Sequence, residues 1–350
     1  MVLMAIDHAS VFFNDGRVSD DSAATWVVGS ALPPEQFFTR WITHLCAPTF
    51  VFLAGAAIAV SASRRKARGM SQGSIDRDLL VRGAFIALLD LVVMSQLAGV
   101  TLLQVLYAIG VSMMLMVPLR RLGSGALFGL ALAWIVGGEA ITGLLWDPGD
   151  PSTSLLLHLT IAPHYSSDLM IIYPALPWLA IMMLGWAFGE RFIAEPREGD
   201  GSARRVLVVG GLSALAVFAV VRGIDGYGNM FLHRDGLSLV QWLHVSKYPP
   251  GLAFVCLELG LMAVGLAGLM TLEPKVAVRD RSPILVLGQT ALFFYVAHFL
   301  LLGGAARLVD DKGLGLTFVA AGVVLCALYP VCLGFRALKR RYPKSLLRFV

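Results

Sequence analysis

The stretch RWITHLCAPTFVFLAGAAIAVSASRRKARG, residues 40–69, decides the fold class. Its middle, 45–62, is an apolar run, and it closes on the basic residues Arg64, Arg65, Lys66 and Arg68. A helix needs roughly 20 apolar residues to cross a hydrocarbon core about 30 Å thick. An apolar run ending in a basic cluster therefore reads as a membrane span whose basic end stays in the cytoplasm. The pattern recurs in both directions. Further apolar segments lie near 1–14, 79–98, 100–118, 124–146, 169–190, 205–222, 251–272, 283–306 and 315–335, which predicts about ten spans. The first is short for a full crossing.

Composition points the same way. The chain has 350 residues, 57% hydrophobic and 15% charged, with a mean hydropathy of +0.75. That is too apolar for a water-soluble domain. No polar stretch is long enough to fold alone, so 1–350 reads as a single transmembrane domain. The net charge of +5 does not indicate nucleic acid, because 21 of the 28 Lys and Arg residues fall in 63–82, 119–123, 190–205, 273–282 and 336–350. With ten spans these segments all lie on one side, and the positive-inside rule makes that side cytoplasmic. The expected architecture is an all-α, polytopic helical bundle of the bacterial inner membrane, with both termini cytoplasmic. Cys46, Cys256, Cys326 and Cys332 lie in apolar segments without a CxxC pair, so neither a disulfide framework nor a metal site is expected.

All seven histidines, His8, His44, His158, His164, His233, His244 and His298, fall at the ends opposite the basic loops. Histidine is the side chain best suited to moving protons near neutral pH. The same side carries the longer polar loops, near 15–44, 147–168 and 223–250, and connections of that length usually bind or cover something.

Asp7 and His8 sit together in the apolar helix MVLMAIDHASVFF, residues 1–13. An ionisable pair inside a span is a functional hypothesis by default. Asp7 would orient His8 or stabilise its imidazolium, leaving His8 as a general base. Arg40 and His44, four residues apart, would face one direction where the chain enters the second span. Gly55 would admit a neighbouring helix closely. His298, in LGQTALFFYVAHFLLLG, has no polar side chain on its own helix placed to pair with it, so its partner is expected from elsewhere. In HVSKYPPG, two prolines pin the backbone beside Lys247 and Tyr248, which could hold a polar or anionic acceptor; Tyr173, Trp178 and Trp242 are aromatic-belt residues that could stack on a sugar. Asp90 and Glu139 either pair with each other or line a passage. Arg64, Arg65, Lys66 and Arg82 match a phosphate-rich cytoplasmic ligand as well as they match an orientation signal. There is no P-loop, G-x-S-x-G elbow, H-E-x-x-H or strand-borne GxGxxG, which argues against a soluble-type hydrolase or nucleotide enzyme.

Six segments, taken in order, carry a resemblance. They are MVLMAIDHASVFF (1–13), RWITHLCAPTFVFLAG (40–55), LLQVLYAIGVSMML (102–115), YPALPWLAIMMLGWAFG (173–189), HVSKYPPGL (244–252) and ALFFYVAHFLLL (291–302). Through them the chain resembles the DUF1624 family of bacterial membrane proteins. That family groups with the catalytic domain of heparan-α-glucosaminide N-acetyltransferase and, more distantly, with the acyltransferase-3 membrane proteins. By position His8 looks like the acyltransferase-3 histidine of the first helix, where the glucosaminide acetyltransferases carry an asparagine. His298 looks like the histidine of a late FFYxxH-type motif. His44 occupies a position where the animal enzymes carry a different polar residue. Relatives carry an RG-containing stretch ahead of the part that begins here as MVLMAI, so a start further upstream is expected.

The resemblance implies transfer of an acyl group, most simply acetyl, from cytoplasmic acyl-CoA to a periplasmic glycan or small-molecule acceptor. Asp7, His8, His44 and His298 would be catalytic. Lys247, Tyr248, Arg40 and Trp178 would contact the acceptor, and Arg64, Arg65 and Arg82 the phosphates of acyl-CoA. Membrane lipid is the surrounding partner, no nucleic acid is expected, and a homodimer is left open. The competing expectations are a proton-coupled transporter or flippase of a polar substrate, and a non-catalytic partner of an envelope complex.

Overall fold

The computed structural model describes residues 1–148, 150, 152–194, 201–275, 278–343, 345 and 347. Parts of the basic segments 190–205, 273–282 and 336–350, and of the WDPGDP loop at 146–151, therefore lie outside the described residues. The protein is all-α and multi-pass. Seven helices are long and apolar enough to cross a membrane: Pro34–Ala67, Val105–Leu122, Ser124–Leu145, Ser202–Ile224, Leu252–Leu272, Ala291–Leu308 and Leu314–Arg341. Val2–Phe13 is apolar but shorter.

Two expected spans take a different local form. The segment 79–98 lies within a helix starting at Gln72 that passes through a π-helical turn, Asp90–Met94, and ends at Gly99 in the left-handed conformation. The chain then runs extended at Thr101–Leu103 before Val105–Leu119 begins. The expected span 169–190 is likewise extended at Leu169–Ile171, and its helix, Ala175–Phe188, starts only after Pro174. A residue before proline is pushed out of the α region, which sets this start. Leu169–Ile171 is the central strand of a three-stranded sheet, parallel to Thr101–Leu103 and antiparallel to His164–Tyr165.

The chain divides into two compact units. The first comprises Met1–Ser19, Ala31–Cys46 and Leu269–Val350. Here Val2–Phe13 packs along Leu314–Arg341 and against Ala291–Ala305 and Pro34–Thr43. The Phe13 carbonyl accepts the Gly313 N–H at 2.8 Å, and Phe293 stacks on Phe335 with centroids 4.2 Å apart. Pro34 and Pro283 each stand in a first helical turn, where the missing N–H costs nothing.

The second unit comprises Asp20–Ser30 and Ala47–Gly268. With no hydrophobic force between helices in lipid, small residues that let backbones approach decide the packing. A Cβ on Gly55 would overlap the Met182 carbonyl, and one on Gly185 the Phe52 carbonyl. Asp90 and Glu139, fully and largely buried, do not pair with each other. Asp90 Oδ2 accepts the N–H groups of Gln104 (2.9 Å) and Tyr107 (2.6 Å), capping the helix that follows. Glu139 Oε2 accepts those of Gly228 (2.7 Å) and Met230 (2.8 Å). Each carboxylate thus replaces hydrogen bonds that a broken backbone would lack inside a membrane.

Candidate active site

In the first unit, one turn of the Val2–Phe13 helix presents Asp7 and His8. Asp7 Oδ1 accepts from Arg17 (2.7 Å), Arg40 (2.7 Å) and Thr43 Oγ1 (3.0 Å). Arg17 also donates to the Asp7 carbonyl at 2.9 Å. Two cations and a hydroxyl therefore hold one carboxylate oxygen, while Oδ2 stands 3.8 Å from His8 Nε2. Fixing Asp7 this firmly fixes the helix turn that carries His8.

His8 Nδ1 lies 2.6 Å from His298 Nε2. The partner expected for His298 from another helix is therefore His8. Its own helix contributes as well, since His298 Nδ1 lies 2.8 Å from the Phe294 carbonyl. A carbonyl can only accept, so His298 Nδ1 carries a proton and donates it there. In neutral His298 the Nε2 atom is then an acceptor, and His8 donates Nδ1–H to it. These tautomers follow from the network, and they leave the basic lone pair of His8 on Nε2, beside Asp7. Tyr295 and Phe299 enclose the His8 ring at centroid distances of 5.6 and 4.2 Å. His298 is fully buried, whereas the His8 side chain keeps 14% of its surface. His44, also buried, ends the Pro34–Thr43 helix next to Thr43.

In the second unit, Lys247 and Tyr248 are held by the Asp20–Ser30 segment. Both their N–H groups donate to the Asp21 carbonyl, at 2.8 and 3.2 Å, and Ser22 Oγ donates to the Tyr248 carbonyl at 2.5 Å. The Lys247 ammonium lies 5.2 Å from the centre of the Tyr248 ring. Tyr248 and Tyr173 bring their hydroxyls to 3.4 Å. Trp178 is fully buried behind them, between Tyr173 (4.6 Å) and Phe254 (6.5 Å), so it is a wall of this cluster and not an open stacking platform. Lys247 is buried and close enough to the buried Glu258 to act on it electrostatically.

Arg222 organises the loop that leads to Lys247. Its buried guanidinium donates to the carbonyls of Leu232, Gln241, Trp242 and His244 and to Asn229 Oδ1. Burial lowers the pKa of His244, whose Nε2–H donates to the Asp20 carbonyl at 2.9 Å. It also lowers that of His158, with His164 adding repulsion from a ring 4.6 Å away.

Of the basic residues, Arg65 is paired with Asp78 at 2.8 Å and is near enough to Arg82 to repel it; Arg64 and Arg82 are exposed. Burial would raise the pKa of Asp76, but its bonds to Arg120 and Arg121 hold it below the ordinary value. Part of the basic side is thus neutralised by its own carboxylates.

The sequence pattern of the family described as heparan-alpha-glucosaminide N-acetyltransferase, catalytic, matches residues 26–221, more than half of the chain. The chain belongs to this family. Membership in the heparan-alpha-glucosaminide N-acetyltransferase catalytic family makes it an acyltransferase-type enzyme. Arg40, His44, Arg64, Arg65, Arg82 and Trp178 lie inside the matched region; Asp7, His8, Lys247, Tyr248 and His298 lie outside it. No curated protein matches the chain.

Sequence reading had missed Arg17, Thr43 and Arg222. A signal for two of them was present. Arg17 and Arg222 are among the few basic residues outside the basic segments, and a cation there calls for a specific partner.

Proposed function

We propose that this member of the heparan-alpha-glucosaminide N-acetyltransferase catalytic family moves an acyl group, most simply acetyl, from acyl-CoA to a sugar or small-molecule acceptor across the inner membrane. The donor is used from the cytoplasm and the acceptor is modified on the periplasmic side. About ten crossings with both termini cytoplasmic, as the basic segments suggest, would put the histidines on the acceptor side.

The observation that carries this reading is the His8–His298 contact. His8 Nε2 takes the proton of the acceptor hydroxyl or amine as oxygen or nitrogen attacks the thioester carbonyl. A C–O or C–N bond forms and the C–S bond breaks; the proton held on His8 passes to the departing thiolate. His298 fixes the tautomer of His8 and shares the charge of its imidazolium through the Nδ1–H bond, and Asp7 supports that charge from 3.8 Å. His44 is assigned to the thioester, Lys247 and Tyr248 to the acceptor. Arg40 acts through Asp7, and Trp178 backs the tyrosines. Arg64 and Arg82, with Arg65 shared with Asp78, are assigned to the phosphates of acyl-CoA. A homodimer would be compatible with this chemistry.

The test is radiolabelled acetyl-CoA with the purified protein and a panel of amino sugars and oligosaccharides. Saturable donor binding weakened by Arg64→Ala or Arg82→Ala, and transfer abolished by His8→Ala in a folded variant, are expected. Full transfer by His8→Ala would remove His8 as the base.

A further inference from the structure

A cavity in the second unit plays no part in the reaction above. It encloses about 750 Å³ and is lined almost entirely by apolar side chains, among them Phe128, Leu132, Phe188, Val217 and Leu259. Ser124–Leu145 and Ser202–Ile224 form its sides, with Ala175–Phe188 and Leu252–Leu272 behind. Phe128, Leu132, Val136, Val206 and Val217 on its sides are exposed, so the slot opens toward the lipid phase.

Its length is set by the helices. From Ser124 to Val136 is twelve residues of α-helix, or about 18 Å. One leaflet of hydrocarbon is about half of a 30 Å core. The slot is therefore one acyl chain long. A void of this size does not stay empty in a bilayer, and an apolar surface does not hold water.

Apolar lining alone does not choose among lipids, because bilayer chains are as apolar as the slot. Charge does. Arg191 is the only charged side chain among the described residues that line the cavity, and it follows the C-terminus of the Ala175–Phe188 helix. It is exposed, lies 5.6 Å from the Phe192 ring centre and forms no ion pair with a described residue. Arg120 and Arg121 are already paired with Asp76, whereas Arg191, with the exposed Arg204 and Arg205 at the start of Ser202–Ile224, favours an anionic head group.

We infer that this slot is a binding site for an anionic membrane phospholipid, one acyl chain lying between the helices and the phosphate at Arg191. The site is independent of the acyl-transfer reading.

Gly210 lines the slot and a Cβ there would meet nothing within 4 Å, so Gly210→Leu extends a side chain into the slot and improves helix propensity. The full-length protein is reconstituted in vesicles of phosphatidylethanolamine and phosphatidylglycerol containing a phosphatidylglycerol probe with a photoreactive chain. Labelling concentrated on the slot residues, reduced at least tenfold by Gly210→Leu at unchanged melting temperature, is expected. Arg191→Glu should erase the preference for the phosphatidylglycerol probe over a phosphatidylethanolamine one. Labelling spread over all exposed helices, or untouched by both changes, overturns the site. Displacement of the probe by stoichiometric palmitoyl-CoA overturns the lipid assignment and gives the slot to an acyl donor instead.

Discussion

His8 Nδ1 and His298 Nε2, 290 residues apart in sequence, stand 2.6 Å from each other. Because His298 spends its Nδ1 proton on the Phe294 carbonyl, the pair has a direction, with the basic lone pair emerging on His8 Nε2. That direction gives the two histidines unequal roles.

Replacing His8 by alanine should lower acyl transfer by about 10²–10⁴-fold, the usual worth of a general base. His298→Gln keeps an acceptor for His8 and should lower kcat less, with KM unchanged and the acid limb of the pH–rate profile displaced. Initial rates across pH with both variants check this. Equal losses with identical pH profiles would contradict the assigned roles.

Asp7→Asn leaves Arg40, which is nearly inaccessible, without its anion. Breaking such a pair from one side costs about 3 kcal/mol. Thermal unfolding in detergent should show the loss, and Asp7→Asn combined with Arg40→Gln should recover part of it. A double variant no more stable than the single would show that the ion pair is not the cause.

Gly185 lies against the Phe52 carbonyl, with no room for a methyl group. Gly185→Val should destabilise the second unit by about 1–3 kcal/mol through forced separation of two helices. Gly210→Val, facing open space, serves as the control.

Burial lowers the pKa of His244 below its ordinary value of 6.5. Between the folded value and 6.5 the unfolded chain binds more protons, so stability falls as pH drops through that window and is fully present above it. His244→Gln should flatten the melting temperature against pH on the acid side of 6.5. An unchanged slope would assign the dependence to other groups, His158 first.

The all-α membrane architecture was legible in residues 40–69 and in the distribution of Lys and Arg, because lipid imposes length, polarity and charge asymmetry on each span separately. The family was legible in short segments for a similar reason, since each is read without its neighbours. Asp7, His8 and His298 stood out as ionisable residues in apolar helices. The sequence did not contain their pairing, because a hydrogen bond between residues 8 and 298 depends on how Val2–Phe13 and Ala291–Ala305 pack. Nor did it contain the role of Arg17, which lies beyond the helix it serves. The extended turns at 101–103 and 169–171 were hidden by hydropathy, which scores a buried strand and a helix alike. Local composition determined what this protein is; only tertiary packing, which brings distant polar groups within hydrogen-bonding distance, decided which of its residues act together.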